Sequence, residues 1–124
     1  PMPIRVFKTA WFSKAAAKAR ISDAELCGAI QQVELGQAED LGGGVFKKRL
    51  DKNRHRLIIL ANAGKFWIYA YLFAKNDLAN ISQTDLDELR RLAGVYRQKP
   101  DAQFRLEIKV GKLLEICHEN QQQI

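Results

Sequence analysis

The chain has 124 residues, of which 47% are hydrophobic and 27% are charged, a mixture typical of globular proteins. We expect one domain over residues 1–124, with a core over about 4–99 and a C-terminal extension over 100–124. No apolar run reaches the roughly 18–20 residues of a membrane span, and the first residues lack the apolar stretch of a signal peptide. A cytoplasmic protein with no membrane partner is therefore expected.

The positive charge is concentrated in one segment. Twenty lysines and arginines against fourteen acids give a net charge of +6. Residues 45–56 contain one acid, Asp51, and six bases, so this segment alone carries +5. The bases are Lys47, Lys48, Arg49, Lys52, Arg54 and Arg56. Such a patch favours a polyanionic partner, although a lysine-rich sheet edge that discourages aggregation would look the same.

Conventional catalytic and metal-binding patterns are missing from the sequence. No spacing of histidine, cysteine or acidic residues resembles a zinc site, and no nucleophile elbow or dinucleotide fingerprint occurs. We therefore expect no metal and no cofactor. Cys27 and Cys117 are too few for a disulfide framework, and Cys27 is predicted to be a small core residue on an apolar helical stripe.

The N-terminal part predicts a strand over residues 4–8 and two helices. Thr9 is expected to cap the first helix, which runs to residue 20. Ser22 and Glu25 have the spacing of a capping box, and Gly36 is a natural end for the second helix.

Three strands are predicted next, over residues 45–50, 56–62 and 66–75, joined by tight turns and therefore antiparallel. The glycines at 42–44 precede them. They lack the Gly-Lys-Ser/Thr ending of a phosphate loop, which favours a flexible hinge or a tight turn from helix into sheet.

Alternation along the first of these strands separates its basic residues. Lys47 and Arg49 are predicted to share the face opposite the helices. Lys48 falls between the core candidates Phe46 and Leu50, so it should lie near an edge or extend outward. The strand over 66–75 has an aromatic row that ends in a lysine. The row is Trp67, Tyr69, Tyr71, Phe73 and Lys75. It could stack bases, but four large aromatic residues favour a packed face of a central strand.

Ser82 is predicted to cap a third helix, which Pro100 ends. Alternation over 104–110 predicts a strand there. A start at Pro100 and a stop at Gly111 predict a helix instead, followed by a short strand over 113–117. The element order gives an α+β fold. It has a small antiparallel sheet with a mixed edge, and the two N-terminal helices and the C-terminal helix cover one face.

Cationic residues without a metal suit one reaction, RNA cleavage by transesterification. The 2′-hydroxyl of the substrate attacks the adjacent phosphorus, so the protein needs only to position the RNA, stabilise the phosphorane and assist two proton transfers. Arginine forks match phosphate oxygens, and a crowded lysine can act as a base. His55, which lies between Arg54 and Arg56, is a possible acid or base.

Four signatures in order resemble the RelE/HigB-like toxins of type II toxin–antitoxin systems. They are Val-Phe-Lys-Thr-x-Trp-Phe at 6–12, Asp-Leu-Gly-Gly-Gly-Val-x-Lys-x-Arg at 40–49, the strand-opening arginine at 56, and Phe-Ala-Lys-Asn-x-x-x-Asn-Ile at 73–81. The best fit is to the branch with the Leu-Gly-Gly-Gly and Phe-Ala-Lys-Asn signatures, and it covers about residues 4–99.

The resemblance implies a microbial ribonuclease fold that cuts mRNA without a metal cofactor, commonly in the ribosomal A site. It also implies a cognate antitoxin, in this branch usually a helix-turn-helix protein. By position, the resemblance makes Lys47 a base or phosphate ligand, Arg49 and Arg56 stabilisers of the phosphorane, and Lys75 a further phosphate contact.

A second set of residues is expected to bind RNA or the ribosome: Lys48, Lys52, Arg54, Phe73 and Asn76. His55 stands where relatives often have a tyrosine. Tyr96 is the candidate for the C-terminal tyrosine that some members use, but its apolar stripe predicts a core position. Two alternatives stay open, a ParE-like poison of DNA gyrase and a protein that binds nucleic acid without cutting it.

Overall fold

The computed structural model describes residues 5–50, 56–64, 66–74 and 82–117, with the backbone alone at residues 56, 57 and 74. The strands are β1 Arg5–Thr9, β2 Glu39–Gly42, β3 Val45–Arg49, β4 Arg56–Asn62, β5 Phe66–Ala74 and β6 Leu113–Ile116. The helices are α1 Ala10–Lys18, α2 Asp23–Glu34, α3 Gln83–Gln98 and α4 Asp101–Lys109. The α+β fold class is confirmed.

The strands of the described residues form one mixed sheet in the order β2-β3-β4-β5-β1-β6. The predicted antiparallel succession of β3, β4 and β5 is confirmed. β1 pairs in parallel with β5 and antiparallel with β6, so the parallel pair lies inside the sheet. The tail forms α4 and β6, so the prediction of a helix after Pro100 followed by a short strand is confirmed, and the alternative of a strand over residues 104–110 is wrong.

Helices cover both faces of the sheet, so the expectation that they cover one face is wrong. Phe12 of α1 and Leu26 of α2 pack into one core. Ala93 of α3 and Phe104 of α4 pack into a second core on the opposite face. The physical reason is that the central strands are apolar on both sides. In β4, for example, Ile58 and Leu60 enter the first core, while Ile59 and Ala61 enter the second.

Three predicted helix caps are present. Thr9 Oγ1 accepts a hydrogen bond from the Phe12 amide at 3.0 Å. Ser22 Oγ accepts from the Glu25 amide at 3.1 Å, and Ser82 Oγ accepts from the Asp85 amide at 3.0 Å. Each hydroxyl satisfies an amide that has no partner within the first helical turn.

The glycines at 42–44 connect two strands, the first of which was not predicted from the sequence. β2 precedes it, so the turn connects β2 to β3 and does not lead from a helix into the sheet. Arg90 of α3 donates to the Leu41 carbonyl at 3.2 Å, and Arg97 donates to the Gly43 carbonyl at 3.3 Å. A Cβ on Gly43 would lie 2.8 Å from Arg90 Cγ. The glycines therefore form a tight turn that admits the arginines of α3.

A bulge in β5 divides the predicted aromatic row. Tyr69 pairs with Leu60, and Tyr71 pairs with Ile59, which leaves Ala70 as the extra residue. Trp67 and Tyr69 therefore pack in the core of α1 and α2, whereas Phe73 packs against the core of α3 and α4. The prediction of one aromatic face is wrong from Tyr71 onward.

Cys27 in α2 and Cys117, directly after β6, form a disulfide. The sequence did not predict this bond, because only the topology brings together two cysteines that are 90 residues apart. Both side chains are partly buried against the core of α1 and α2. None of the helices in the described part of the chain is long and apolar enough to cross a membrane.

Candidate functional site

β3 presents Lys47 and Arg49 on the α3/α4 face of the sheet. Val45, two residues earlier, is buried in the core of that face, and alternation places Lys47 and Arg49 on the same side. The two cations are two residues apart, which is about 7 Å along a strand. The prediction that they share a face is confirmed, but the expectation that this face lies opposite the helices is wrong, because α3 and α4 pack on it and α3 covers its Val45 end.

Lys47 is held by the neighbouring strand. Its Nζ lies 2.9 Å from Oε1 of Glu39, and these two residues are directly opposed in the β2–β3 pair. Arg49 is exposed at the other end of β3. One cation is thus fixed by a partner, while the other is available to solvent.

Two aromatic residues lie in the same cross-strand rows as these cations. Lys47 pairs with Ile59, which pairs with Tyr71; Arg49 pairs with Leu57, which pairs with Phe73. Two inter-strand spacings separate each cation from its aromatic residue, about 10 Å. The rings of Tyr71 and Phe73 stack with their centroids 4.5 Å apart.

α1 adds residues that the sequence analysis did not assign to the site. The Trp11 ring lies 4.4 Å from that of Tyr71. A groove of about 450 Å³ runs between α1 and the end of β5, and Lys14, Lys18 and Phe73 are among its lining residues. Trp11 is half exposed, whereas the neighbouring Phe12 is buried. A large aromatic residue outside the apolar stripe of α1 is the feature of the sequence that could have marked Trp11 as a binding residue.

Lys48 does not join Lys47 and Arg49. It is only 9% exposed and shares its face with Phe46 and Leu50, which pack in the α1/α2 core. Its Nζ donates to the carbonyl of Arg49 at 3.0 Å. β3 lies between β2 and β4, so the expected position near a sheet edge is wrong, and the low exposure of the side chain contradicts the alternative that it extends outward.

Arg56 opens β4 with its Cα opposite Ala74, one residue before the Leu57 that pairs with Arg49. The backbones of Arg49 and Arg56 therefore lie at one end of the sheet.

The remaining predicted site residues fall outside the described residues. They are Lys52, Arg54, His55, Lys75 and Asn76. In the described ranges, no three histidine, cysteine or acidic side chains are placed to hold a metal ion.

Tyr96 packs beside Phe104 at the edge of the α3/α4 core, with ring centroids 6.0 Å apart. The Lys99 ammonium lies 4.5 Å from the Tyr96 ring centroid and pairs with Glu107, which is 7% exposed. Burial raises the pKa of Tyr96 to about 12, and the charge of Glu107 and a hydrogen bond to it contribute. The Tyr96 hydroxyl is therefore neutral near pH 7, and its packing against Phe104 agrees with the predicted core position.

One comparison with known proteins gives a match. The family model described as the RelE toxin of the RelE/RelB toxin–antitoxin system matches residues 4–116. The match includes α4 and β6, beyond the segment in which the sequence signatures occur. No curated protein and no solved structure matches the chain significantly.

Proposed function

Because the chain belongs to the RelE family of toxins of toxin–antitoxin systems, we propose that it is a metal-independent mRNA endoribonuclease that acts on the ribosome and inhibits translation. RelE toxins are generally mRNA-cleaving ribonucleases with a cognate antitoxin. The observation that supports this function most strongly is the pair Lys47 and Arg49, placed on one face of β3 with Lys47 held by Glu39.

The proposed reaction needs no external nucleophile. The 2′-oxygen forms a bond to the adjacent phosphorus as the bond from phosphorus to the 5′-oxygen breaks, which leaves a 2′,3′-cyclic phosphate and a 5′-hydroxyl. Lys47 takes the 2′-hydroxyl proton when it is present as the free amine. As the ammonium it binds the phosphate instead, and that proton then passes to water. The Arg49 fork stabilises charge on the phosphorane. Arg56 is proposed as a second stabiliser of the phosphorane, Lys75 as a further phosphate ligand, and His55 as the acid that protonates the leaving oxygen.

We assign the other RNA or ribosome contacts to Lys52, Arg54, Phe73 and Asn76. Lys48 supports β3 from the opposite face, because the residue is nearly buried there and its ammonium donates to the Arg49 carbonyl. The family implies an antitoxin of the RelB kind, and the helix-turn-helix type is our more specific proposal for this branch. Its substrate places the protein in the cytoplasm.

The test is an RNA cleavage assay on the purified protein. One reaction contains mRNA in EDTA, and a second contains translating ribosomes in their usual Mg²⁺ buffer. We expect products with 2′,3′-cyclic phosphate and 5′-hydroxyl ends. Lys47→Ala and Arg49→Ala should each lower the cleavage rate by about 100-fold or more, since each removes a charge contact made in the transition state.

The matched control is Lys109→Ala, which removes an exposed cation from α4 and should leave the rate unchanged. Unaltered cleavage by the Lys47 and Arg49 variants would contradict the proposal. So would products with 5′-phosphate ends. No cleavage in either reaction, together with inhibited DNA gyrase, would point to the ParE-like alternative.

A further inference from the structure

We propose that the groove between α1 and β5 stacks one unpaired base of the RNA substrate. This aromatic groove is lined by Trp11, Lys14, Lys18 and Phe73, and we include in it the Tyr71 ring, which contacts the rings of Trp11 and Phe73. The inference rests on the proposed ribonuclease function and adds to it a base-binding position outside the cationic pair.

The aromatic side chains of the groove are exposed to solvent. Trp11 is 50% exposed and Tyr71 is 39% exposed, although both are large aromatic residues. The Trp11 and Tyr71 rings are in contact, and Tyr71 stacks on Phe73 with an angle of 17° between the ring planes. Three adjoining rings thus form a continuous aromatic surface that solvent reaches. Adjoining exposed aromatics are typical of a binding surface, and single-stranded RNA is bound by such stacking.

The groove carries positive charge from two lysines of α1. Lys14 and Lys18 are one helical turn apart on α1, and both are exposed. Neither forms an ion pair with a residue that the structure describes. The groove lining includes no acidic residue among those described. Aromatic rings flanked by unpaired cations suit a base with its adjoining phosphates.

The rings of the groove lie within reach of the cationic pair. Tyr71 and Phe73 lie in the same cross-strand rows as Lys47 and Arg49, about 10 Å away across the sheet. An RNA strand whose phosphate lies at the cations can therefore cross β4 and place a neighbouring base on the rings. The groove fixes the RNA on one side of the scissile bond, which is how a positioning contact helps in-line attack.

The experiment measures binding without cleavage. The probe is a fluorescently labelled single-stranded 2′-O-methyl RNA, which has no free 2′-hydroxyl and cannot react by the proposed route. A set of otherwise identical oligomers carries one abasic nucleotide at successive positions. Affinities are measured by fluorescence anisotropy for the parent protein, Trp11→Ala, Trp11→Phe and the control Leu35→Ala, which truncates an apolar side chain that is 75% exposed.

We expect Trp11→Ala to weaken binding of the complete oligomer about tenfold, while Trp11→Phe and Leu35→Ala stay close to the parent. One abasic position should weaken binding to the parent by a similar factor and have no further effect in Trp11→Ala, because both changes remove the same contact. Lys14→Gln with Lys18→Gln should reduce the dependence of affinity on salt.

Equal affinity of Trp11→Ala and the parent, with both proteins folded by circular dichroism, would overturn the inference. Abasic effects that are the same in both proteins would also overturn it. If Trp11→Ala weakened binding of the antitoxin and left RNA binding unchanged, the groove would be a protein-binding surface instead. A base-stacking groove in a protein that cuts no RNA would overturn the proposed function alone.

Discussion

The ammonium of Lys47 lies 2.9 Å from the carboxylate of Glu39 across the β2–β3 pair. The Lys47 side chain is 27% exposed and that of Glu39 is 61% exposed, so the carboxylate occupies the more accessible side of the pair. A phosphate that binds Lys47 must share or replace this carboxylate. In the proposed reaction, Glu39 would therefore position the cation and also compete with the RNA phosphate.

Replacing Glu39 by glutamine should tighten RNA binding. Glu39→Gln removes a negative charge beside Lys47, and an exposed ion pair of this kind is worth about 0.2–1 kcal/mol. We expect a two- to fivefold gain in affinity for an uncleavable oligomer at low salt, which disappears at high salt because the charges are screened. Anisotropy titrations at two salt concentrations measure both effects. A loss of affinity at low salt would show that Glu39 serves only to position Lys47.

Substitution of Gly44 should destabilise the protein more than substitution of Gly64. Both have a positive φ, +85° and +80°, so alanine is strained at either position. A Cβ on Gly44 would also meet the Arg97 guanidinium and lie 3.2 Å from the Asn62 carbonyl, whereas one on Gly64 meets nothing within 4 Å. We expect Gly44→Ala to cost at least about 1 kcal/mol more than Gly64→Ala in urea unfolding. Equal costs would mean that Arg97 moves away freely.

Reduction of the Cys27–Cys117 disulfide should lower the free energy of unfolding. The bond links α2 to the end of β6 across 90 residues, and a disulfide that closes so long a loop typically contributes about 2–4 kcal/mol. Urea unfolding with and without dithiothreitol measures the difference. The double variant with serine at both positions should be insensitive to dithiothreitol. Disulfides are rare in the cytosol. Mass spectrometry of alkylated protein from cells would therefore show whether Cys27 and Cys117 are bonded inside the cell.

Stability should fall as the pH rises above about 10. The pKa of Tyr96 is raised to about 12 in the folded protein, whereas a tyrosine in the unfolded chain ionises near 10. Between these values the unfolded state has lost a proton that the folded state keeps, so the free energy of unfolding decreases with increasing pH. Burial also raises the pKa of Tyr69, which adds to the decrease. Tyr96→Phe should flatten this dependence in unfolding titrations from pH 9 to 12; an unchanged slope would assign the effect to other groups.

Local chemistry made much of the fold predictable from the sequence. The caps at Thr9, Ser22 and Ser82 require only a hydroxyl and an amide three residues later, and all three form. The shared face of Lys47 and Arg49 follows from alternation within one strand. These features depend on neighbours in the chain, which is why a single sequence reveals them.

The features that were predicted wrongly depend on long-range contacts. The bulge at Ala70 reverses which side of β5 faces each core, and no turn or glycine marks it in the sequence. The Cys27–Cys117 bond depends on where β6 joins the sheet. The aromatic groove forms only because β1 runs parallel to β5, which brings Trp11 beside Tyr71. None of these contacts leaves a periodic signal.

The most direct test of the central claim is a transcriptome-wide map of new mRNA 5′ ends after brief expression. It compares the parent with Arg49→Ala, Arg56→Ala and the exposed-cation control Lys109→Ala. We predict in-frame cuts within coding regions for the parent and the control, and none for the other two variants, because the phosphorane loses its arginine. The same cuts in all four proteins, or no new ends in any of them, would contradict a ribosome-dependent ribonuclease built on these cations.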